Sequence, residues 1–139
     1  MISVQNLNAQ MAKILHEAQV IAVVGHSDDP TRASYRIAQY MQRMGYIIYP
    51  VNPTVDSIDG QRSYPSLADV PEPVDIVNVF RRSEYLQGIV GQAIAISAPV
   101  VWAQLGIVDP VAARVGDEAG VTVIMNRCIK VEHARLLRL

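Results

Sequence analysis

The stretch Val20-Ile21-Ala22-Val23-Val24-Gly25-His26-Ser27-Asp28-Asp29-Pro30-Thr31-Arg32-Ala33-Ser34-Tyr35 decides the fold. Its first five residues are apolar without alternation and rich in β-branched side chains. A run that is apolar on both faces suits a central parallel strand. Gly25 ends it with a residue free to turn tightly. A short polar loop holding Pro30 follows. Ala33, Ile37, Tyr40, Met41 and Met44 then recur at helical spacing up to a stop at Gly45.

The same alternation extends in both directions. Leu7, Met11, Ile14, Leu15 and Ala18 predict a helix over residues 4–18. Downstream, Tyr46–Tyr49 reads as a second strand closed by Pro50-Val51-Asn52-Pro53, and a helical turn is expected near Ser66. Asp75–Phe80 reads as a third strand, with Ser83 as N-cap of a helix whose face is Leu86, Ile89, Ala93 and Ile96. Val100–Trp102 reads as a fourth strand. Asp109-Pro110 has the pattern of an N-cap with proline at the first helical position. Val121–Ile124 is the expected fifth strand, and a last helix is expected over 130–138. Strand and helix in alternation predict an α/β fold: a doubly wound, five-stranded parallel sheet of the Rossmann-like type with helices on both faces. At 139 residues the chain reads as a single domain, 1–139.

Composition narrows the function classes. Twelve basic residues face thirteen acidic ones, a net charge of −1, which argues against a nucleic-acid footprint. Ten of the twelve are arginine, the better residue for bidentate phosphate contact. One cysteine, Cys128, excludes an internal disulfide and a Cys-rich zinc site, and points to a reduced, cytoplasmic setting. No His, Cys, Asp and Glu set has metal-ligand spacing, so no metal is expected. No apolar run reaches the roughly 18 residues of a membrane helix, and the first residues do not read as a signal peptide.

In doubly wound sheets ligands bind outside the carboxyl ends of the strands, where the strand order reverses. The residues to weigh are therefore Gly25–Ser34, Asn52–Pro53, Phe80–Arg82, Gln104–Gly106 and Asn126–Cys128. In the first loop Ser27, Thr31 and Ser34 offer hydroxyls, Arg32 a fixed charge, and the following helix start free N–H groups. Together these make an anion site. The alternative is a turn that only caps the helix. The loop has one glycine, so it is neither the GxGxxG dinucleotide fingerprint nor a P-loop. A nicotinamide dinucleotide would want an acid at the end of the second strand, where Asn52-Pro53 stands. Asn52 would tolerate a ribose phosphate and Pro53 could pack on a base, or the pair is a turn initiator. Phe80-Arg81-Arg82 places two cations at the mouth, unless they are solvated beside Glu84. Gln104 offers an amide and Gly106 close backbone approach. His26, the one histidine in the mouth, is a polar loop residue or a general base. His16 is expected to be exposed and His133 to form a helix-terminal pair with Glu132. Cys128 faces the mouth or is a buried thiol. No catalytic residue emerges.

These motifs, taken in order, resemble a known family. Ala22-Val23-Val24-Gly25, Ser27 with Asp29-Pro30, Arg32 with Ser34-Tyr35, and Pro50-Val51-Asn52-Pro53 carry the first half. Tyr64-Pro65-Ser66-Leu67, Val79-Phe80-Arg81-Arg82, Trp102-Ala103-Gln104-Leu105-Gly106 and Asn126-Arg127-Cys128-Ile129-Lys130 carry the second. From Ala18 onward the chain resembles the small stand-alone bacterial CoA-binding proteins of Rossmann type. These are relatives of the CoA-binding domain in the alpha subunit of succinyl-CoA synthetase. The resemblance implies non-catalytic binding of coenzyme A or an acyl-CoA. Gly25, Ser27, Arg32 and Ser34, with His26 at the entry, would form the pyrophosphate cradle. Asn52 and Pro53 would lie near the adenosine. Phe80, Arg81 and Arg82 would line the path, with Gln104 and Gly106 nearby. A small residue is usual in that family where His26 stands, and aspartate where Asn126 stands. The ligase relatives need a catalytic histidine on a domain this chain lacks, so ligase activity is not implied. The alternatives are an NAD(P)-dependent oxidoreductase and a regulatory domain that docks on a protein partner and keeps a vestigial nucleotide pocket.

Overall fold

The computed structural model describes residues 4–137. Five strands form one parallel sheet: β1 (Val20–Val24), β2 (Ile47–Val51), β5 (Ile76–Val79), β6 (Val100–Ala103) and β7 (Thr122–Ile124). Two short strands, β3 (Ser57–Ile58) and β4 (Gln61–Arg62), make a separate antiparallel hairpin between β2 and β5. The order across the sheet is β2-β1-β5-β6-β7. It reverses between β1 and β5, so the switch point lies at the end of β1.

The sheet is buried on both faces, as its continuous apolar strands require. In β1, Ile21 and Val23 face one layer, while Val20, Ala22 and Val24 face the other. The first layer holds α1 (Val4–Glu17), α2 (Ala33–Arg43) and α5 (Ile129–Leu137), with Met11, Leu15, Met41 and Trp102 at its centre. The second holds α3 (Leu86–Ala95) and α4 (Pro110–Glu118), with Leu86, Val90, Val77 and Val101. The fully buried Trp102 keeps its indole N–H satisfied by donating to the carbonyl of Arg127 at 3.0 Å. At the amino ends of the strands, Asp75 Oδ2 accepts from both Gln19 N and Val20 N at 2.9 Å, tying the start of β5 to that of β1.

The expected elements are present with shifted ends. β2 runs on through Pro50 to Val51, two residues past the predicted close. It can do so because it is the last strand of the sheet, and Pro50 needs no partner for an N–H it lacks. Its outward carbonyl accepts from Tyr64 N at 2.9 Å. Ser83 does not cap α3. A 3-10 turn, Ser83–Tyr85, precedes the helix, and Ser83 Oγ instead accepts from Val108 N at 3.0 Å. Asp109 does cap α4, accepting from Val111 N at 2.9 Å with Pro110 behind it. The β3–β4 hairpin was not anticipated, because its two-residue strands carry no periodicity. Its turn residues, Asp59 (φ 52°) and Gly60 (φ 79°), are left-handed. Of the predicted last helix, Arg138 lies outside the described residues. His133 is not a helix-terminal pair. It is buried inside α5, edge-on to the rings of Tyr40 and Tyr46, and shares a hydrogen bond with Tyr40 Oη at 3.1 Å. Glu132 pairs with Arg127 and Arg135 instead.

Helix α4 comes unusually close to β7. A Cβ on Gly116 would stand 2.5 Å from Val123 Cγ2 and 3.2 Å from the carbonyl of Val121. Gly116→Val should therefore push α4 off the sheet. The expected loss is about 1–3 kcal/mol, read from the denaturant midpoint at unchanged slope. A neutral result would show that the helix moves freely there.

Candidate functional site

Three loops converge at the switch point. Gly25 follows β1 with φ 85°, and its N–H donates to the carbonyl of Val51 at 2.9 Å. A Cβ at this position would lie 3.0 Å from the carbonyl oxygen of Phe80 and 3.1 Å from Arg81 Cδ. Only glycine fits, both for its backbone conformation and for the space. The turn at the end of β1 is thus packed directly on the segment that leaves β5.

Beyond Gly25 the loop is braced by its own polar groups. Ser27 N donates to Ser34 Oγ at 3.0 Å, and Asp29 N donates to Ser27 Oγ at 3.0 Å. Asp29 Oδ1 accepts from Thr31 N at 2.9 Å and from Thr31 Oγ1 at 2.8 Å, which holds its carboxyl below the usual range. Both serine oxygens act as acceptors here, so each hydroxyl proton remains available to a further acceptor. Arg32 stands at the N-cap of α2 in extended conformation, and its side chain makes no capping hydrogen bond. The first-turn N–H groups and the positive end of the helix dipole therefore face outward beside an exposed guanidinium.

Asn52 ties the second loop to the first. Its Nδ2 donates to the carbonyl of His26 at 2.9 Å, and its Oδ1 accepts from Thr54 N and Thr54 Oγ1 at 2.9 and 2.7 Å. The turn-forming reading of this residue is thus seen in the structure, and its amide is occupied. Pro53 is exposed and lines a cleft of about 390 Å³ together with Val24, Val51, Arg81, Tyr85 and Ile89. Two sequence-selected residues, Pro53 and Arg81, meet in this cleft. Arg81 lies over the Tyr85 ring at 4.3 Å, and Arg82 approaches the same ring at 5.7 Å. Arg82 is the more exposed, and its 3.3 Å pair with Glu84 is a solvated one of small worth. Phe80 packs half-buried against the α1–α2–α5 layer. Tyr85, Pro65 and Gly88 also line the cleft and were not selected from the sequence. Pro65 sits in a quoted motif, while Tyr85 and Gly88 fall within the run read as cap and helix.

Gln104 and Gly106 frame the other side of the mouth. Gln104 is buried; its Nε2 donates to Asn78 Oδ1 at 2.6 Å and its Oε1 accepts from Ile129 N at 3.3 Å. Gly106 N donates to Asn126 Oδ1 at 2.8 Å. These groups are engaged with protein. Cys128 stands half-buried just before α5. His16 is exposed, as expected. His26 is 4% exposed. Its Nδ1 contacts the carbonyl of Ser27 at 2.8 Å, and its ring meets Tyr35 edge-on. Burial drives its pKa below 6.5, against the opposing Ser27 hydrogen bond and the Asp59 charge. It lines a second cleft, of about 280 Å³, between α2 and the hairpin. Among the described residues no His/Cys/Asp/Glu group could hold a metal ion, and no helix is long and apolar enough to cross a membrane.

The geometry can be set beside known proteins. The family described as the CoA-binding domain matches residues 19–134. An uncharacterized Bacillus subtilis protein, YneT, is 48% identical over 126 residues, covering 91% of this chain and 93% of that one. An ADP-forming acetate–CoA ligase of Archaeoglobus fulgidus is 36% identical over 58 residues, which is 40% of this chain and 9% of the ligase. A hypothetical protein of Pyrococcus horikoshii superimposes with a TM-score of 0.90 at 36% identity, covering 94% of this chain and 92% of the other. These likenesses bear out the resemblance and the Rossmann-like sheet expected from the sequence.

The buried histidines make stability depend on pH. Burial lowers the pKa of both His26 and His133 in the folded chain. The unfolded chain then takes up protons first as pH falls. This contribution is complete above about pH 6.5 and is lost as pH drops below it towards the folded values. Urea midpoints should stay level from about pH 8 to 7 and fall between about 6.5 and 5, less steeply in His26→Gln. An equal slope in the variant would remove His26 from this account.

Proposed function

The chain belongs to the CoA-binding domain family, and from that premise we propose that it binds coenzyme A or an acyl-CoA at the carboxyl ends of β1, β2 and β5 without catalysing a reaction. One observation carries the reading. The Gly25 turn packs on the Phe80 carbonyl, which sets an uncapped helix start on one side and a cleft with Pro53 and Arg81 on the other. CoA offers a pyrophosphate and a ribose phosphate, two groups of anionic oxygens separated by a ribose. The pyrophosphate goes to the first turn of α2, with Gly25, Ser27, Ser34 and Arg32 around it and His26 at its entry. The adenosine end goes to the cleft, between Pro53 on one side and the Arg81–Tyr85 pair on the other, with Arg82 at the rim. Asn52 sets the shape of that wall through its hold on the His26 carbonyl. Phe80, Gln104 and Gly106 frame the way out for the pantetheine arm.

A nicotinamide dinucleotide is the poorer fit. It wants a carboxylate for the ribose diol at the end of the second strand. The residue there is Asn52, whose amide oxygen already accepts two hydrogen bonds from Thr54.

Calorimetric titration with CoA, dephospho-CoA and NAD tests the proposal. Binding of CoA, weaker for dephospho-CoA and absent for NAD, is the expected pattern. NAD binding without CoA binding would favour an oxidoreductase. Silence from all three would leave a partner-docking domain. The double variant Arg81→Ala/Arg82→Ala should weaken CoA at least tenfold, about 1.4 kcal/mol. Gly88→Leu offers a second route. A Cβ at Gly88 meets nothing within 4 Å, so the side chain would fill the cleft and leave α3 in place. Unchanged CoA affinity in Gly88→Leu would place the adenosine elsewhere.

A further inference from the structure

The cleft between α2 and the β3–β4 hairpin shares only His26 with the reading above, and its hydrogen bonds say what it would accept. It is walled by His26, Tyr35, Gln39, Gln42, Asp59 and Gln61 on an apolar floor that includes Ala38 and Ile48. The orientation of nearly every polar group is forced. The carbonyl of Ser27 can only accept, so His26 Nδ1 carries the hydrogen of that 2.8 Å contact. Neutral His26 therefore keeps an unprotonated Nε2, which has no partner among the described residues. Tyr35 Oη donates to Asp59 Oδ2. The amide of Gln39 must then present Nε2, which donates to Tyr35 Oη at 2.8 Å and to Asp59 Oδ2 at 3.2 Å. Gln61 Nε2 donates to the carbonyl of Ile48.

These bonds consume most of the cleft's donors and leave its acceptors. Without a hydrogen-bond partner among the described residues are His26 Nε2, Asp59 Oδ1, Gln39 Oε1 and Gln61 Oε1, and Gln42 lines the same cleft. The lining holds one carboxylate and no Lys or Arg. We infer that this cleft is a second binding site, for a small organic cation with several N–H donors, of the amidinium or guanidinium class. A planar cation of that kind matches the acceptors around it. Tyr35 lines the same cleft, and an aromatic π-system attracts positive charge. The volume of about 280 Å³ suits a small molecule. The cleft has no lining residue in common with the Pro53–Arg81 cleft, and Tyr35, Gln39, Asp59 and Gln61 have no place in the CoA reading, so the inference stands apart from it.

The test is a nuclear magnetic resonance titration of the full chain with methylguanidinium, and in parallel with tetramethylammonium, which carries the charge but no donor. Saturable shifts at Tyr35, Gln39 and Asp59–Gln61 are expected with methylguanidinium. Tetramethylammonium should bind at least tenfold more weakly. Asp59→Asn keeps a side chain that tolerates the left-handed turn and should weaken methylguanidinium at least tenfold. His26→Phe keeps a ring, removes Nε2 and should weaken it as well. Dispersed spectra and wild-type melting would show both variants folded. Absence of saturable shifts, equal affinity for the two cations, or undiminished binding in both folded variants would overturn the inference. A CoA titration of the wild-type and Asp59→Asn samples reads the other site separately, because Asp59 has no part in it.

Discussion

The close approach of two backbones at the end of β1 is the constraint on which the rest of the sheet's carboxyl edge depends. With the Phe80 carbonyl 3.0 Å from where a Cβ of residue 25 would be, the turn after β1 has no freedom to open. It has to leave the sheet in a left-handed conformation, and it delivers the loop to the start of α2. The Val51 carbonyl fixes the turn from the β2 side and the Val24 carbonyl accepts from Phe80 N on the β5 side, each at 2.9 Å. Three strands thus meet with their outgoing segments locked together where the strand order reverses. A parallel sheet places its helix starts and loop amides at this edge, so the lock also aims positive dipole and arginine charge at one place.

Around that lock, polar side chains divide into those that hold the frame and those that remain open. Asn52, Gln104 and Asn126 sit where a ligand-binding residue was expected, or beside one. Each has an amide oxygen engaged with a backbone N–H of this chain. Gln104 is buried, where an amide must be satisfied, and the three bonds together brace the mouth. Asn78 Nδ2 is the exception: it is buried without a partner among the described residues because Ile129 N fixes the orientation of Gln104, which in turn fixes that of Asn78. The serine hydroxyl protons of the first loop, the Arg32 guanidinium and the acceptors around His26 stay outside that frame.

The sheet was legible because its central strands β1, β5 and β6 are fully buried, and fully buried strands write unbroken apolar runs such as Val20–Val24. Asp109-Pro110 declared its helix start for a local reason, a side chain that caps its own chain. Features set by distant partners were not legible in the same way. Ser83 has the composition of a cap, yet its hydroxyl serves Val108, 25 residues away in the chain. The position of His133 between Tyr40 and Tyr46 follows from how α5 packs on α2, which no local pattern records. At the edge, the residue types and the loops were readable, and Pro53 and Arg81 do share a cleft. Tyr85 was missed because its role arises from a 3-10 turn that swings it over Arg81. The hairpin that closes the second cleft is too short to leave a signal.

The most direct test of the central claim is an amide-resolved magnetic resonance titration with coenzyme A. Saturable changes concentrated at Gly25–Ser34 and Arg81–Gly88, with the far edge of the sheet around Thr122 and Val123 unmoved, are the predicted outcome. Saturable changes centred elsewhere on the fold, or none at all, would contradict the account.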